Sequence, residues 1–259
     1  GWHGRAAGKG GSHYISFGRI PGGKTQTGHC WRSRCAAPGY NGKVDQQLSS
    51  SISPQAADLL VIFTRFPRPG KTKTRLSRVM GDEAAASCQR QMTEHIVAQG
   101  RELARHRAID LQIHYDGATL AEMTAWLGDD LIYHLQAVGD MGRRLAASFV
   151  SGFRAKRSKI ILVGADCPDV SPAILGAAFD AMPQADLVIG PALDGGYYLI
   201  GMHGLHPELF VNIAWGTARV LIQTIDKAAC RKLIIRQMEP LHDIDRPEDL
   251  KYFRHYTRP

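Results

Sequence analysis

Three stretches of the chain hold side chains that could do chemistry. "FTRFPRPGKTKTRL", residues 63–76, gathers Arg65, Lys71, Lys73 and Arg75 around Pro67, Pro69 and Gly70, with Arg68 behind them. "GADCPDVSP" sets Asp166 directly after an apolar run, and "GPALDGGYYLIGM" puts Asp194 before Gly195 and Gly196. Cations by themselves would read as a solvated turn, and a lone carboxylate as a helix cap. Together they suit a polyphosphate bridged to a divalent cation, with Lys and Arg neutralising phosphate oxygens while Asp holds the metal.

Within the first stretch the two prolines fix φ and forbid a helix, so the chain must turn before "KTKTRL". Gly70 permits a positive φ and a close approach of phosphate to backbone. Five residues before Gly70 stands Arg65 rather than glycine, so this is no phosphate loop of the NTPase kind. Lys73 and Arg75 are the expected phosphate contacts. Asp169 and Ser171 read as caps of the next helix. Asp194 reads two ways: as a carboxylate brought close to a ligand, or as part of an Asp-Gly hairpin turn.

These residues need elements to hold them. From Asp58 onward short β-rich runs alternate with helical periodicity. "DLLVIF", "IDLQIHY", "LIYHL", "KIILVGAD", "ADLVIGPA", "GGYYLIGM" and "KLIIRQ" read as strands. "DEAAASCQRQMTEHIVAQGRELARH" reads as a long helix capped by Asp82, and "SPAILGAAFDAM" as one capped by Ser171 with Pro172 in its first turn. Further helices are expected over "LAEMTAWL", "DMGRRLAASFVSGFRAK", "TARVLIQTIDKAA" and "PEDLKYFRHY". The order predicts an α/β fold with a mostly parallel sheet covered on both faces, whose ligands bind beyond the carboxyl ends of the strands. All three chemical stretches fall at such ends.

Composition sets limits. The chain has 259 residues and a formal net charge of +8. Residues 1–57 contain seven Lys/Arg against one acid, Asp45, among many Gly and Ser, so the rest is left with about +2. The basic excess therefore argues poorly for nucleic-acid binding by the folded part. Residues 1–57 are expected to be a flexible basic leader and residues 58–259 one domain. "GRIPGGKT" in that leader fits a phosphate-loop pattern to the letter but lacks the flanking strand and helix. "HCWRSRC", with His29, Cys30 and Cys35, supplies at most half a zinc site. Scattered Cys88, Cys167 and Cys230 predict reduced thiols and a cytoplasmic protein. No run of about 18 apolar residues is present, so no membrane span is expected.

The three stretches, with "AWGTARV" and "DIDRPEDL" in this order and spacing, resemble a bacterial family of GT-A-type glycosyltransferase-like proteins. These belong to the nucleotide-diphospho-sugar transferase superfamily and are related to the phospholactate guanylyltransferases. The resemblance covers residues 58–256. It implies a single Rossmann-like domain that binds a nucleotide sugar, or an NTP, through Mg²⁺ or Mn²⁺, and passes a group to an unidentified small-molecule or lipid acceptor. On this resemblance Lys73 and Arg75 would meet the nucleotide phosphates, and Arg65, Gly70, Lys71, Gly195 and Gly196 are candidate nucleotide-binding residues beside them. Asp166, Asp194 and Asp243 would hold the metal, and Asp194 could instead be the acid/base. Tyr197 and Trp215 would wall the sugar or acceptor. Two departures stand out: "GADCP" replaces a plain Asp-x-Asp, and Arg65 stands where several members carry Lys. Glycosyl transfer is the expected reaction, with guanylyltransferase-like nucleotidyl transfer as the alternative.

Trp215 reads equally as a core residue, and Thr217 as a helix N-cap. In "HDIDRPEDL", Asp245 and Glu248 form a capping pattern, which leaves Asp243 as the acid expected to face the metal.

Overall fold

The structure, a computed structural model, describes residues 58–253. Residues 1–57, with the "GRIPGGKT" and "HCWRSRC" motifs, and the last six residues lie outside the described part. Seven strands form one sheet: β1 (Asp58–Arg65), β2 (Ile109–Asp116), β3 (Ile132–Leu135), β4 (Lys159–Gly164), β5 (Leu187–Pro191), β6 (Tyr197–Met202) and β7 (Ile235–Gln237). Their spatial order is β3-β2-β1-β4-β6-β5-β7. All run parallel except β6, which pairs antiparallel with both β4 and β5. The expected mostly parallel sheet is present.

The helices are α1 (Thr74–Met80), α2 (Asp82–His106), α3 (Leu120–Leu127), α4 (Met141–Arg154), α5 (Pro172–Ala181), α6 (Val220–Cys230) and α7 (Leu250–Phe253). Strand pleating sends alternate residues to opposite faces. Leu60 and Ile62 of β1 pack with Ile96 of α2 and Phe179 of α5, whereas Leu59 and Val61 pack with Leu145 and Phe149 of α4. Two cores thus sandwich the sheet. A third cluster, built from Leu76, Cys88, Met92, Ile244 and Phe253, joins α1 and α2 to the end of the chain.

Several local expectations need correction. α1 was not foreseen, because the short "TRLSRVM" helix is held by burial of Leu76 rather than by periodicity. The N-cap of α2 is Gly81, with Asp82 already inside the helix. Ser171 caps α5 by accepting from the Ile174 N–H, with Pro172 at its first position, as read from sequence. Thr217 is not the cap of α6; that place is taken by Arg219, and the Thr217 hydroxyl donates to the Ala214 carbonyl.

Candidate active site

Parallel pairing brings the strand ends into line. Arg65 at the end of β1 is level with Asp116 of β2, and Phe63 is level with Gly164 of β4, two residues before Asp166. The antiparallel turn from β5 into β6 carries Asp194 to the same edge. The hairpin reading of Asp194 holds, and the hairpin opens at the carboxyl edge of the parallel strands. Its Oδ1 accepts from the Gly196 N–H at 2.7 Å, which fixes the carboxylate without neutralising it.

The closing segment, residues 241–246, completes the edge. Leu241 N–H donates to the Pro191 carbonyl and its own carbonyl accepts from Leu193 N–H, both at 3.0 Å; then Ile244 N–H donates to the Asp166 carbonyl at 2.9 Å. Ile244 is fully buried, so Asp243 and Asp245 flank an apolar anchor and are held near the loop that follows β4.

Lys73 occupies the centre of this arrangement. It enters α1 in the left-handed region, φ 50° and ψ 44°, and its side chain is only 3% exposed. Its Nζ donates to the Ile244 carbonyl at 2.6 Å, lies 3.0 Å from Asp166 Oδ1 and 3.8 Å from Asp245 Oδ1. Burial alone would lower the Lys73 pKa, but the Asp166 and Asp245 carboxylates outweigh it and hold the group above its ordinary value. The residue expected to face phosphate is enclosed by protein oxygens.

Asp245 is a further correction. The capping role read from sequence passes to Arg246, whose main-chain N–H donates to Asp249 Oδ2 at 2.7 Å. Asp245 instead forms an ion pair with the exposed guanidinium of Arg75. This pair places Arg75 beside the closing segment, two residues from Lys73.

The carboxylates sense one another. Burial, followed by the charge of Asp194, pushes the Asp243 carboxyl up to about 6. Burial, then Asp243 and Asp166, raises the Cys167 thiol well above its usual range. Crowded negative charge of this kind fits a hard cation. Among the described residues, however, no three acidic, histidine or cysteine side chains close into a ligand cage. Asp166, Asp194 and Asp243 are the carboxylates that could share a Mg²⁺ with water and phosphate oxygens.

The other expected residues are placed as follows. Arg65 pairs with Asp116 at 2.9 Å, and Arg68 with Glu122 at 2.7 Å. Lys71 is exposed on the turn after Gly70, which has φ +70°. Gly195 has φ +91°, and a Cβ there would lie 2.4 Å from the Ala218 carbonyl oxygen. That glycine serves packing against the segment before α6. Tyr197 and Trp215 meet edge to face, with centroids 6.3 Å apart, and both pack against the core that contains Phe149 and Phe210. The Trp215 indole N–H is buried without a partner, against Gly142 at the start of α4.

A profile of the family described as "Uncharacterized protein conserved in bacteria (DUF2064)" matches residues 97–217. A solved structure from Desulfovibrio desulfuricans G20, provisionally named a nucleotide-diphospho-sugar transferase, is 31% identical to the chain. That match covers 77% of this chain and 87% of the other, at a TM-score of 0.72. The chain belongs to this bacterial family. A nucleotidyl transferase from Methanothermobacter, 15% identical, superposes at a TM-score of 0.51 over 78% of this chain and 98% of its own, which shows a shared fold. No curated protein matches the chain.

For this DUF2064 chain, sequence reasoning missed the group around Asp116. Asp116 accepts from Arg65 at 2.9 Å and from Arg144 of α4 at 2.8 Å, and Arg144 also reaches Gln136 Oε1 at 3.2 Å. Gln136 Nε2 donates to the carbonyls of Thr64 and His114, both at 3.0 Å. The one signal available was the position of Asp116 at a strand end, the same signal that singled out Asp166. No membrane-spanning helix is long and apolar enough among the described residues.

Proposed function

We propose that the chain is a nucleotide-dependent transferase that moves a glycosyl group from a nucleotide diphosphate sugar to a hydroxyl-bearing acceptor. The observation that carries this reading is the meeting of Asp166, Asp194 and Asp243 with the Arg75 side of the cationic loop, at the carboxyl edge of a mostly parallel sheet. Ligand sites of such sheets lie at that edge. The name of the Desulfovibrio relative supports the same substrate class.

The diphosphate would lie over the turn of residues 67–72, with Lys71 and Arg75 on its oxygens. Arg75 would exchange its carboxylate partner Asp245 for phosphate, trading one charge-assisted contact for another. Asp166 and Asp243 would hold Mg²⁺ or Mn²⁺, which when bound supplies charge stabilisation for the departing diphosphate. Asp194, exposed and oriented by the Gly196 N–H, would take the proton of the acceptor hydroxyl as its oxygen forms the new bond to the anomeric carbon. The donor's carbon–oxygen bond to phosphate breaks, and the nucleoside diphosphate leaves with that electron pair.

Phosphorus NMR tests this directly. The protein is incubated with Mg²⁺, pooled nucleotide sugars, pooled NTPs and a metabolite extract as acceptor source. Nucleoside diphosphate growing at the expense of one nucleotide sugar is the expected result and names the donor. Pyrophosphate growing at the expense of one NTP would overturn glycosyl transfer in favour of nucleotidyl transfer on the same loops.

A further inference from the structure

Lys73 and Arg75 stand two residues apart on the same cationic loop, and their surroundings are opposite. The Arg75 side chain is 54% exposed and makes one ion pair at the rim. The Lys73 side chain is 3% exposed, and its ammonium is surrounded by the Ile244 carbonyl at 2.6 Å, Asp166 Oδ1 at 3.0 Å and Asp245 Oδ1 at 3.8 Å. Two of its three N–H groups are taken at hydrogen-bond distance, and with the side chain buried a phosphate oxygen could reach the third only if the Asp245 side shifted. Displacing Asp166 would strip a buried cation of its nearest counter-charge, and displacing the Ile244 carbonyl would remove the side-chain tie to the closing segment.

We infer that Lys73 is a positioning residue, not a phosphate ligand: its buried ammonium ties the loop after β4 to the closing segment and so sets the spacing of Asp166, Asp194 and Asp243. The inference rests on the transferase reading for its effect on rate, but not for its effect on structure. The ammonium bridges two segments about eighty residues apart in sequence, and it reinforces one backbone bond, Ile244 N–H to the Asp166 carbonyl at 2.9 Å. Asp166 accepts on one oxygen, while its side chain remains 49% exposed toward the ligand edge. The carboxylate is thereby aimed without being consumed. A left-handed backbone at a non-glycine residue is sparsely populated, and Lys73 holds one at φ 50° where its ammonium meets Asp166 and Ile244. Placement matters at this scale, since an error of about 1 Å in a catalytic group costs about 100-fold in rate.

The test compares wild type with Lys73→Ala, Lys73→Met and Arg75→Ala. Hydrogen exchange is followed for residues 241–246, pyrophosphate binding with Mg²⁺ by calorimetry, and turnover with the donor found by phosphorus NMR. For both Lys73 variants faster exchange confined to residues 241–246 is expected, with pyrophosphate affinity within about threefold of wild type. A kcat lower by about 100-fold with donor KM unchanged should accompany it. Millimolar propylammonium, which replaces the missing end of the side chain, should restore much of the kcat of Lys73→Ala, whereas tetramethylammonium should not. Arg75→Ala should lose pyrophosphate affinity instead. If Lys73→Met keeps wild-type exchange at residues 241–246, or loses pyrophosphate affinity as Arg75→Ala does, the inference is overturned. Should wild type bind no pyrophosphate and turn over no nucleotide, the transferase reading fails, and the exchange result alone decides the role of Lys73.

Discussion

Lys73 Nζ lies 3.0 Å from Asp166 Oδ1, although one residue follows β1 and the other follows β4. Because these strands are parallel neighbours, their carboxyl ends coincide and the two loops meet. Asp166→Asn removes the counter-charge and retains the volume. Turnover should fall at least 100-fold, the usual scale for losing one group that stabilises developing charge. The midpoint of urea unfolding should also drop, by a stability loss of about 1–2 kcal/mol, since a buried cation loses its nearest partner while Asp245 remains. Turnover at the wild-type rate in excess Mn²⁺ would remove Asp166 from the proposed site.

Arg75 gives a different signature. It is exposed and its one carboxylate partner, Asp245, is at the rim. Arg75→Ala should raise the donor KM about tenfold with little change in kcat, as expected for a lost charge-assisted hydrogen bond that forms equally in ground and transition states. The penalty should shrink as salt is raised, because contacts at an open rim are screened. A kcat effect larger than the KM effect would place Arg75 at the reacting centre rather than on the diphosphate.

Most of the fold was legible because its signals are local. The "KIILVG" strand and the "SPAIL" start of α5 declare themselves through apolar runs and capping chemistry. The rule that ligands gather at carboxyl ends then marked Asp166 and Asp194 without further help. What sequence could not show was partnership across distance. Lys73 and Arg75 look alike in "KTKTRL", and only the fold reveals that one is buried against Ile244 and the other is exposed. Asp245 likewise carries a local capping pattern, while its carboxylate engages Arg75, 170 residues away. Gly195 invited a ligand reading that nothing local could separate from the packing that Ala218 imposes.

That packing makes Gly195→Ala informative. The added methyl would sit 2.4 Å from the Ala218 carbonyl oxygen, against main-chain atoms of that residue, with φ at +91°. That backbone cannot move cheaply, and the Gly195 carbonyl also accepts from Leu221 N–H at 2.9 Å at the start of α6. A stability loss of roughly 1–3 kcal/mol is expected from the strained backbone alone. The variant should also lower kcat, because Asp194 is the adjacent residue. Gly196→Ala meets only Asp194 Oδ1, at 3.1 Å, and should be the milder of the two in thermal unfolding. Equal melting temperatures for the two variants would contradict this account.

The acid limb of stability should be governed in part by a histidine behind the site. His114 of β2 is buried, shares a 2.7 Å hydrogen bond with Ser148 Oγ of α4, and has the His134 ring 5.1 Å away. Burial, and next the neighbouring His134, lowers its pKa from 6.5 to about 3. In the unfolded chain the imidazole takes up a proton near its ordinary value, whereas in the folded chain it stays neutral. The unfolded state therefore binds more protons between these limits, and stability is present in full above pH 6.5 and lost as pH falls toward 3. The slope is about 1.4 kcal/mol per pH unit, so acidification from 6.5 to 5 should remove about 2 kcal/mol through this residue. His114→Gln keeps a polar side chain beside Ser148 and cannot titrate. Its unfolding free energy, measured in urea across that range, should fall less steeply than that of wild type by about this amount. Parallel curves for the two proteins would mean that His114 takes up its proton as readily in the folded chain as in the unfolded one.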